Sequence, residues 1–233
     1  MSDEQPRVLN KVLVVLAHPD DPEFFCGATI AKWAREGKPV RYCMLTCGNK
    51  GSDDPNMTPE QLCATRHEEQ ASAARVLGVT DLVWLDYPDG ELVPTLEARL
   101  SVAREIRKFK PDIVVTCDPT RVITPFGAIN HPDHRAAGQI ALDAIFPGVG
   151  NRMYFTELLA EGLEPHQVKE VYIAGAEQPD TVIDVTDVFD LKMKAIREHR
   201  SQIKDPDGLE ARMRSRFKRD GIFVEMFRRV VLA

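Results

Sequence analysis

Two short segments of this chain hold the side chains that could do chemistry. The first directly follows an apolar run and reads Leu16-Ala17-His18-Pro19-Asp20-Asp21-Pro22-Glu23; the second, far downstream, reads His131-Pro132-Asp133-His134. Imidazoles and carboxylates suit a hydrolytic zinc site, which takes three protein ligands and keeps a fourth position open for water. The two segments supply enough ligands and leave one carboxylate over to activate that water. Together they predict metal-assisted hydrolysis.

The spacing of these residues allows a site with three ligands. His18 and Asp21 are three apart in a turn that leaves a predicted strand, so both side chains can face one point, and His134 could add the third ligand. A metal ion lowers the pKa of its bound water to about 7, which makes hydroxide available at neutral pH. The spacing leaves open which of the neighbouring Asp20 and Asp21 binds the ion and which accepts the proton.

The other groups of the second segment have predicted supporting roles. His131 could act as an acid or stabilise an oxyanion, and Asp133 could hold an imidazole in the required tautomer. Each segment alone is compatible with a plain turn, but their joint occurrence at predicted strand-to-helix edges favours a site. The remaining histidines are expected not to bind metal, because His67 lies within a helix and His166 and His199 lie in polar surroundings.

The elements that must position these segments alternate between strand and helix. Continuous apolar runs predict strands that are covered on both faces. The predicted strands are 12–16, 40–45, 82–85, 113–116, 168–174 and 181–185. The predicted helices are 24–36, 58–77, 95–109, 134–146, 187–203 and 209–218. This alternation predicts right-handed βαβ units and a mostly parallel sheet in one α/β domain over residues 1–233.

Two long loops rich in Gly, Pro and Asp begin where predicted strands end, at 47–57 and 118–130. Ligands of open α/β sheets bind at the carboxyl ends of the strands, so we expect both loops and the first chemical segment to meet in one cleft. The turn after the first strand lacks G-x-G-x-x-G, and G-x-x-x-x-G-K-[ST] is absent from the sequence. These absences argue against a dinucleotide-dependent enzyme and a P-loop NTPase.

The composition limits the classes of partner that the chain is expected to bind. With a net charge of −6 and 43% hydrophobic residues, the chain has no electrostatic reason to bind nucleic acid or an anionic membrane. No run approaches the ~18 apolar residues of a membrane span, and the polar start does not resemble a signal peptide, so a cytoplasmic enzyme is expected. Residues 1–9 are expected to form a disordered or extended tail. The basic segment 197–229 is expected to be a solvated helix or an oligomer contact.

The five cysteines predict no disulfide framework and no zinc knuckle, because their number is odd and no Cys-x-x-Cys pair occurs. Cys43 and Cys117 lie in apolar strand-like runs and are expected to be small buried hydrophobes. Cys47 lies at a strand end, where a pocket could form, but the same interpretation is preferred there.

Further motifs extend the two chemical segments, in order, over nearly the whole chain. They are Gly27-Ala28-Thr29-Ile30-Ala31, Arg66 and Glu69 on a helix that ends in Leu77-Gly78, Asn130 directly before the second segment, Asp184-Val185-Thr186-Asp187, Lys192 and His199-Arg200-Ser201-Gln202. The set resembles the LmbE-like, or PIG-L, family of metal-dependent N-deacetylases. Taken alone, Arg66 and Glu69 could equally be an ordinary surface pair on a helix.

The resemblance implies a Rossmann-like three-layer α/β/α fold and one zinc ion per chain, with iron or cobalt as alternatives. It also assigns roles: His18, Asp21 and His134 bind the metal, Asp20 is the general base, His131 is the acid or oxyanion stabiliser, Asp133 tunes it, and Arg66 and Asn130 contact the substrate. Glu23, which follows Pro22 here and directly follows the aspartate pair in some members, is expected to support the site or the helix N-terminus.

The implied activity is removal of an acetyl group from an N-acetylglucosamine-type amino sugar or its conjugate, by a chain expected to form a homo-oligomer. Two alternatives stay open. One is an amidase that uses the same groups on a thiol-sugar conjugate with a larger acyl group. The other is a non-catalytic sugar-binding protein with a vestigial metal cleft.

Overall fold

The computed structural model describes residues 11–232, so the predicted tail at 1–9 lies outside the described residues. Strands β1 to β8 are Val12–Leu16, Val40–Thr46, Asp81–Tyr87, Ile113–Cys117, Glu170–Ala174, Thr181–Asp184, Lys218–Arg219 and Ile222–Val231. The sheet order is β3-β2-β1-β4-β5-β8-β6, with β7 paired to β8. The first five strands pair in parallel, whereas β8 runs antiparallel to both β5 and β6.

Helices cover both faces of this sheet. Helices α1 to α7 are Asp21–Arg35, Pro59–Val76, Leu96–Phe109, Pro132–Asp143, Thr156–Ala160, Phe189–Ile196 and Pro206–Phe217. Alternate side chains of β1 point into two separate cores, one shared with α1, α2 and α6 and the other with α3 and α4. Because both faces are covered, every residue of β1 is buried. The predicted three-layer α/β/α fold is confirmed.

The largest difference from the sequence prediction lies in the last third of the chain. The helix predicted over 187–203 spans only Phe189–Ile196. Beyond its end, Ser201 binds Glu69 through its backbone N–H and its hydroxyl, both at 2.7 Å. The basic segment 197–229 was expected to be a solvated helix or an oligomer contact. The segment does contain a largely solvated helix, α7, in which only Met213 is buried, but it also contains most of β8, a strand inside the sheet. The oligomer contact stays a prediction.

Smaller differences concern element ends and the cysteines. α1 begins at Asp21, ahead of the predicted 24, and α4 begins at Pro132, ahead of the predicted 134. Cys47 and Cys63 are joined as a disulfide with a Cα–Cα distance of 5.2 Å, so the prediction of no disulfide is wrong. Folding brings the end of β2 against α2, a contact that cysteine spacing does not reveal. The other three cysteines are free and buried.

A buried ion pair satisfies backbone groups of α1, the helix that carries Asp21, next to a residue where this helix is irregular. The backbone at Cys26 is not helical, with φ −146° and ψ 15°. Glu225 of β8 accepts hydrogen bonds from the backbone N–H groups of Ala28 (3.1 Å) and Thr29 (2.7 Å). Lys192 of α6 lies 2.6 Å from Glu225, which compensates the buried carboxylate. In this way β8 and α6 hold α1 in place.

Within residues 11–232, no helix combines the length and the apolar character needed to cross a bilayer.

Gly138 allows α4 to pack closely against the end of β4. A Cβ at this position would lie 2.2 Å from the carbonyl oxygen of Cys117, which belongs to the backbone and cannot swing aside. The first turn of α4 contains His134, so the close approach sets how far this histidine reaches over the sheet edge.

We expect Gly138→Ala to lower the free energy of unfolding. The overpacking cost of about 1–3 kcal/mol or more should exceed the gain in helix propensity of about 1 kcal/mol. Chemical denaturation measures the change. The control is Gln139→Ala, an exposed position on the same helix, where we expect a change within about 0.5 kcal/mol. Equal stability of Gly138→Ala and wild type would contradict the proposed packing.

Candidate metal and active site

The predicted site residues meet at the carboxyl ends of β1 to β4, around a cavity of about 440 Å³. The cavity is lined by His18, Asp20, Asp21, Phe24, Phe25, Lys50, Gly51, Arg66, Asp89, Gly90, His131, His134 and Arg216. The loop that starts at 47 contributes directly to this lining, as expected. The arrangement follows the general rule that open α/β sheets bind ligands at this edge.

Two imidazoles flank the carboxylate of Asp21. Its Oδ1 lies 3.0 Å from Nε2 of His134, and its Oδ2 lies 3.5 Å from Nδ1 of His18. The backbone N–H of His18 also donates to Oδ2 at 2.9 Å, which fixes the carboxylate. One ligand atom from each of these three residues lies within 4.8 Å of the others. Two nitrogens and one oxygen that converge beside a cavity form a donor set for a divalent ion with an open position.

The outward nitrogen of His134 is held by Asn130. Nδ1 of His134 lies 3.2 Å from the amide oxygen of Asn130, and the amide nitrogen of Asn130 donates to the carbonyl of Arg121 at 2.9 Å. The second bond fixes the orientation of the amide, so its oxygen faces the imidazole and Nδ1 of His134 carries the proton. With an ion bound, Nε2 of His134 would turn its lone pair toward that ion, as a metal ligand requires. Asn130 thus lies behind His134, one of the candidate ligands.

The outward nitrogen of His18 faces two carboxylates. Its Nε2 lies 3.3 Å from Asp133 Oδ2 and 3.1 Å from Asp89 Oδ1, so Nδ1 is the nitrogen turned toward Asp21. Asp133 is itself fixed by the backbone N–H of Gly90 at 2.7 Å. The carboxylate of Asp133 therefore orients His18; its implied effect on His131, which lies in the same cluster, stays a prediction.

The pKa values show how strongly this site favours a positive charge. Burial lowers the pKa of His18, but hydrogen bonds to Asp133, Asp21 and Asp89 outweigh it and raise the pKa to about 12. Burial raises the pKa of Asp21, but the charge of His134 and hydrogen bonds to both imidazoles outweigh it and hold the pKa well below its usual range. This excess of carboxylates matches the charge of a divalent cation, so the donor set fits one.

Asp20, the N-cap residue of α1, is held in an uncommon backbone conformation. Its φ of 94° lies in the left-handed region, which non-glycine residues rarely adopt. Its backbone N–H donates to the side-chain oxygen of Gln70 at 2.8 Å, and its Oδ2 lies 3.3 Å from Nη2 of Arg66. Burial raises the pKa of the Asp20 carboxyl to about 6 against the opposing charge of Arg66.

Arg66 is buried and binds protein groups as well as lining the cavity. Its Nη1 donates to the carbonyl of Gly48 at 2.9 Å, and its Nη2 donates to the carbonyl of Pro19. With the ion pair to Asp20, these bonds connect the turns that follow β1 and β2. The structure therefore gives Arg66 a role in fixing the site walls beside any contact with a substrate.

A buried polar chain supports Asp20 from behind. The side-chain nitrogen of Gln70 lies 3.0 Å from both carboxylate oxygens of Glu23, and Glu23 Oε2 lies 3.0 Å from Nε2 of His199. Gln70, Glu23 and His199 are each fully buried. The predicted supporting position of Glu23 agrees with this chain, and His199, expected in polar surroundings, is one of its members.

His131 stands at the N-terminus of α4 with its ring beside the cavity. Its ring centre lies 4.5 Å from that of His18 and 5.4 Å from that of His134. Nδ1 of His131 accepts the backbone N–H of Asp133 at 3.2 Å, which leaves Nε2 to carry the proton of a neutral ring. Burial and the charge of His18 lower the pKa of His131. The neutral ring is thus a hydrogen-bond donor at the cavity.

Sequence reasoning missed Asp89 and Gln70. Asp89 lies in a Pro88-Asp89-Gly90 turn directly after β3, and its position at the carboxyl end of a parallel strand was a signal that could have identified it. Gln70 carries no such signal, because a single glutamine inside a helix resembles any solvated residue.

A larger cavity of about 1090 Å³ adjoins the first and shares Phe24, Phe25 and Arg216 with it. Its other walls include apolar side chains such as Phe126 and Met226. The site thus has a polar end at the histidines and a roomier, more apolar end.

Known proteins resemble this chain in sequence and in fold. Diacetylchitobiose deacetylase of Thermococcus kodakarensis is 36% identical over 198 residues, which cover 84% of this chain and 72% of that protein. The structure of N,N'-diacetylchitobiose deacetylase from Pyrococcus horikoshii with its inhibitor superposes with a TM-score of 0.86 at 32% identity, over 96% of this chain and 85% of that one. A probable N-acetyl-alpha-D-glucosaminyl L-malate deacetylase 2 of Bacillus subtilis is 30% identical, over 82% of both chains.

The family model "PIG-L: GlcNAc-PI de-N-acetylase" matches residues 13–145, which include both chemical segments. With the histidine–aspartate site at the sheet edge, this match shows that the chain belongs to the PIG-L family of de-N-acetylases.

Proposed function

We propose that this protein is a metal-dependent hydrolase that removes the acetyl group from an N-acetylglucosamine-type amino sugar or its conjugate. The observation that carries the proposal is the convergence of His18, Asp21 and His134 beside Asp20 at a cavity. The relatives support the reaction class, because those compared above are named as deacetylases of sugars that carry an N-acetyl group.

In this proposal His18, Asp21 and His134 hold one zinc ion, since two nitrogens, one oxygen and an open position are typical of catalytic zinc. Iron and cobalt accept the same ligands. The bound ion would polarise the acetyl carbonyl and acidify water. The protein groups behind the ligands support this assignment, because Asn130 and Asp133 turn one nitrogen of each imidazole toward Asp21.

Asp20 is the proposed general base. It lines the cavity next to Asp21, and Gln70 and Arg66 fix its position. Its carboxylate accepts a proton from the attacking water, whose oxygen adds to the acetyl carbon. Arg66 lies close enough to stabilise the negative form of Asp20 before the proton arrives.

His131 is the proposed donor to the substrate. The proton on its Nε2 can bind the carbonyl oxygen as negative charge develops there. When the C–N bond breaks, the sugar nitrogen takes up a proton from a protonated group of the site. The products are acetate and a free amine, so the atoms of one water molecule are divided between them.

The two adjoining cavities support a conjugate as the substrate. The acetylated sugar would bind at the polar end, and the group attached to it would extend past Phe25 and Arg216 into the larger cavity. Formation of a homo-oligomer and location in the cytoplasm stay predictions.

The central test is acetate release from a panel of N-acetylglucosaminides, with and without a chelator. We expect release that the chelator abolishes, and we expect His18→Ala and His134→Ala to hold one ion fewer per chain, since each loses a ligand. The control is His166→Ala. His166 contacts Pro111, ahead of β4 at the opposite edge of the sheet, so this variant should keep metal and activity. Bound sugar without acetate would favour the non-catalytic alternative.

Asp20→Asn should keep the metal and lose turnover. An amide cannot accept the proton of water, and loss of a general base typically costs about 10²–10⁴-fold in rate. Metal content and acetate release, measured on the same preparation, separate the two effects. Asp54→Asn, an exposed position, serves as the control. Full activity of Asp20→Asn would reject Asp20 as the base.

Gln70→Ala should lower kcat by about 10–100-fold with little change in KM, because Asp20 loses the bond that fixes its strained backbone. Bound metal should remain, since Gln70 contacts none of the three ligands in the bonds described above. Gln139→Ala again serves as the exposed control. A rise in KM with kcat unchanged would show that Gln70 acts on substrate binding and not on Asp20.

A further inference from the structure

A second cluster of metal-binding side chains lies where β2, α2 and β3 meet. Cys47 directly follows β2, Cys63 and His67 stand one turn apart on α2, and Asp86 is the last residue but one of β3. One ligand atom from each lies within 4.8 Å of the others. We propose that this Cys–His–Asp cluster, with both cysteines reduced, is a structural site for a zinc ion, separate from the candidate active site.

Two of the distances fit one shared ion, whereas the bonded sulfurs of Cys47 and Cys63 have to separate on reduction before both can bind it. Nε2 of His67 lies 3.8 Å from Cys63 Sγ and 3.8 Å from Asp86 Oδ1. Ligand atoms at zinc bond lengths in a tetrahedron stand about 3.3–3.8 Å apart. Direct hydrogen bonds of nitrogen to oxygen are shorter, so the spacing suits a shared ion better than a direct bond between His67 and Asp86.

The surroundings orient His67 as a ligand. Its ring stacks on Trp84 of β3 with 3.7 Å between ring centres and 27° between planes, which fixes the imidazole relative to Asp86 two residues later. Burial lowers the pKa of His67, which favours the neutral form that binds metal. Asp86 is exposed and gives an ion access from solvent.

A disulfide explains why the two cysteines lie together but not why His67 and Asp86 lie beside them. Cys47 and Cys63 are joined in this structure, yet His67 and Asp86 also face the sulfurs. Metal binding therefore requires reduction: a dithiol gives two electrons, the S–S bond breaks, two cysteine thiols form and the reductant becomes a disulfide. The ion then replaces the two thiol protons, which pass to solvent.

The bound ion would stabilise the elements behind the active site. Four protein ligands close the coordination sphere, which is typical of structural zinc. Gly48, next to Cys47, accepts a hydrogen bond from Arg66 on α2. An ion that ties Cys47 to α2 thus fixes the helix that carries Arg66 and Gln70, in the same place where the disulfide ties it under oxidising conditions.

The test is a Co²⁺ titration of reduced, metal-free protein. We expect two ions per chain and a sulfur-to-cobalt charge-transfer absorption, because only the Cys–His–Asp cluster offers thiolates in this scheme. Cys63→Ser and His67→Ala should each bind one ion fewer, and Cys63→Ser should weaken or abolish the charge-transfer band. Glu68→Ala, an exposed neighbour on α2, should behave as wild type.

His134→Ala separates this inference from the proposed function, because it should lose the other ion and keep the charge-transfer absorption. Circular dichroism checks folding, and if Cys63→Ser does not fold, His67→Ala and Asp86→Asn carry the test. No charge-transfer absorption in the reduced wild type would overturn the inference. So would an absorption that survives these substitutions unchanged, or a disulfide that dithiothreitol cannot reduce in the folded protein.

Discussion

Asp21 is a buried carboxylate between two imidazole nitrogens, and such a charge is costly unless opposite charge and hydrogen bonds compensate it. The surrounding structure supplies both. Each imidazole is held from its far side, His134 by Asn130 and His18 by Asp133, so that both inner nitrogens face the same carboxylate. Removing any outer partner would release a ring, which makes the outer bonds as much a part of the site as the proposed ligands.

The carboxylate of Asp20, the proposed general base beside this centre, is fixed in a different way. Asp20 occupies a strained backbone conformation, and such strain persists only where neighbouring groups determine it. Gln70 and Arg66, both from α2, supply these groups, and Glu23 and His199 continue the chain into the protein interior. One helix thus positions the proposed base, while α4 carries His134 and His131. The sheet edge keeps the two helices at a constant separation.

The layered fold and the convergence of the two chemical segments could be predicted from the sequence, because apolar strands alternate with helices and both segments lie at helix starts. The partners of those residues could not. Gln70 and His199 resemble solvated residues, and only tertiary packing makes them buried. β8 carries Glu225, Arg228 and Arg229 among its apolar residues, and these charges make its sequence unlike that of a buried strand. The Cys47–Cys63 disulfide depends on how α2 lies against β2, which spacing does not encode.

The position of Glu225 in the sequence constrains the order in which the parts of the protein fold. It lies in β8, near the end of the chain, yet it satisfies backbone groups of α1, close to the beginning. During synthesis on a ribosome, the residues around Asp21 emerge long before the carboxylate that completes their helix. The hydrogen bonds that complete α1 therefore cannot form while only the N-terminal part of the chain has emerged. They form only once β8 has joined the sheet.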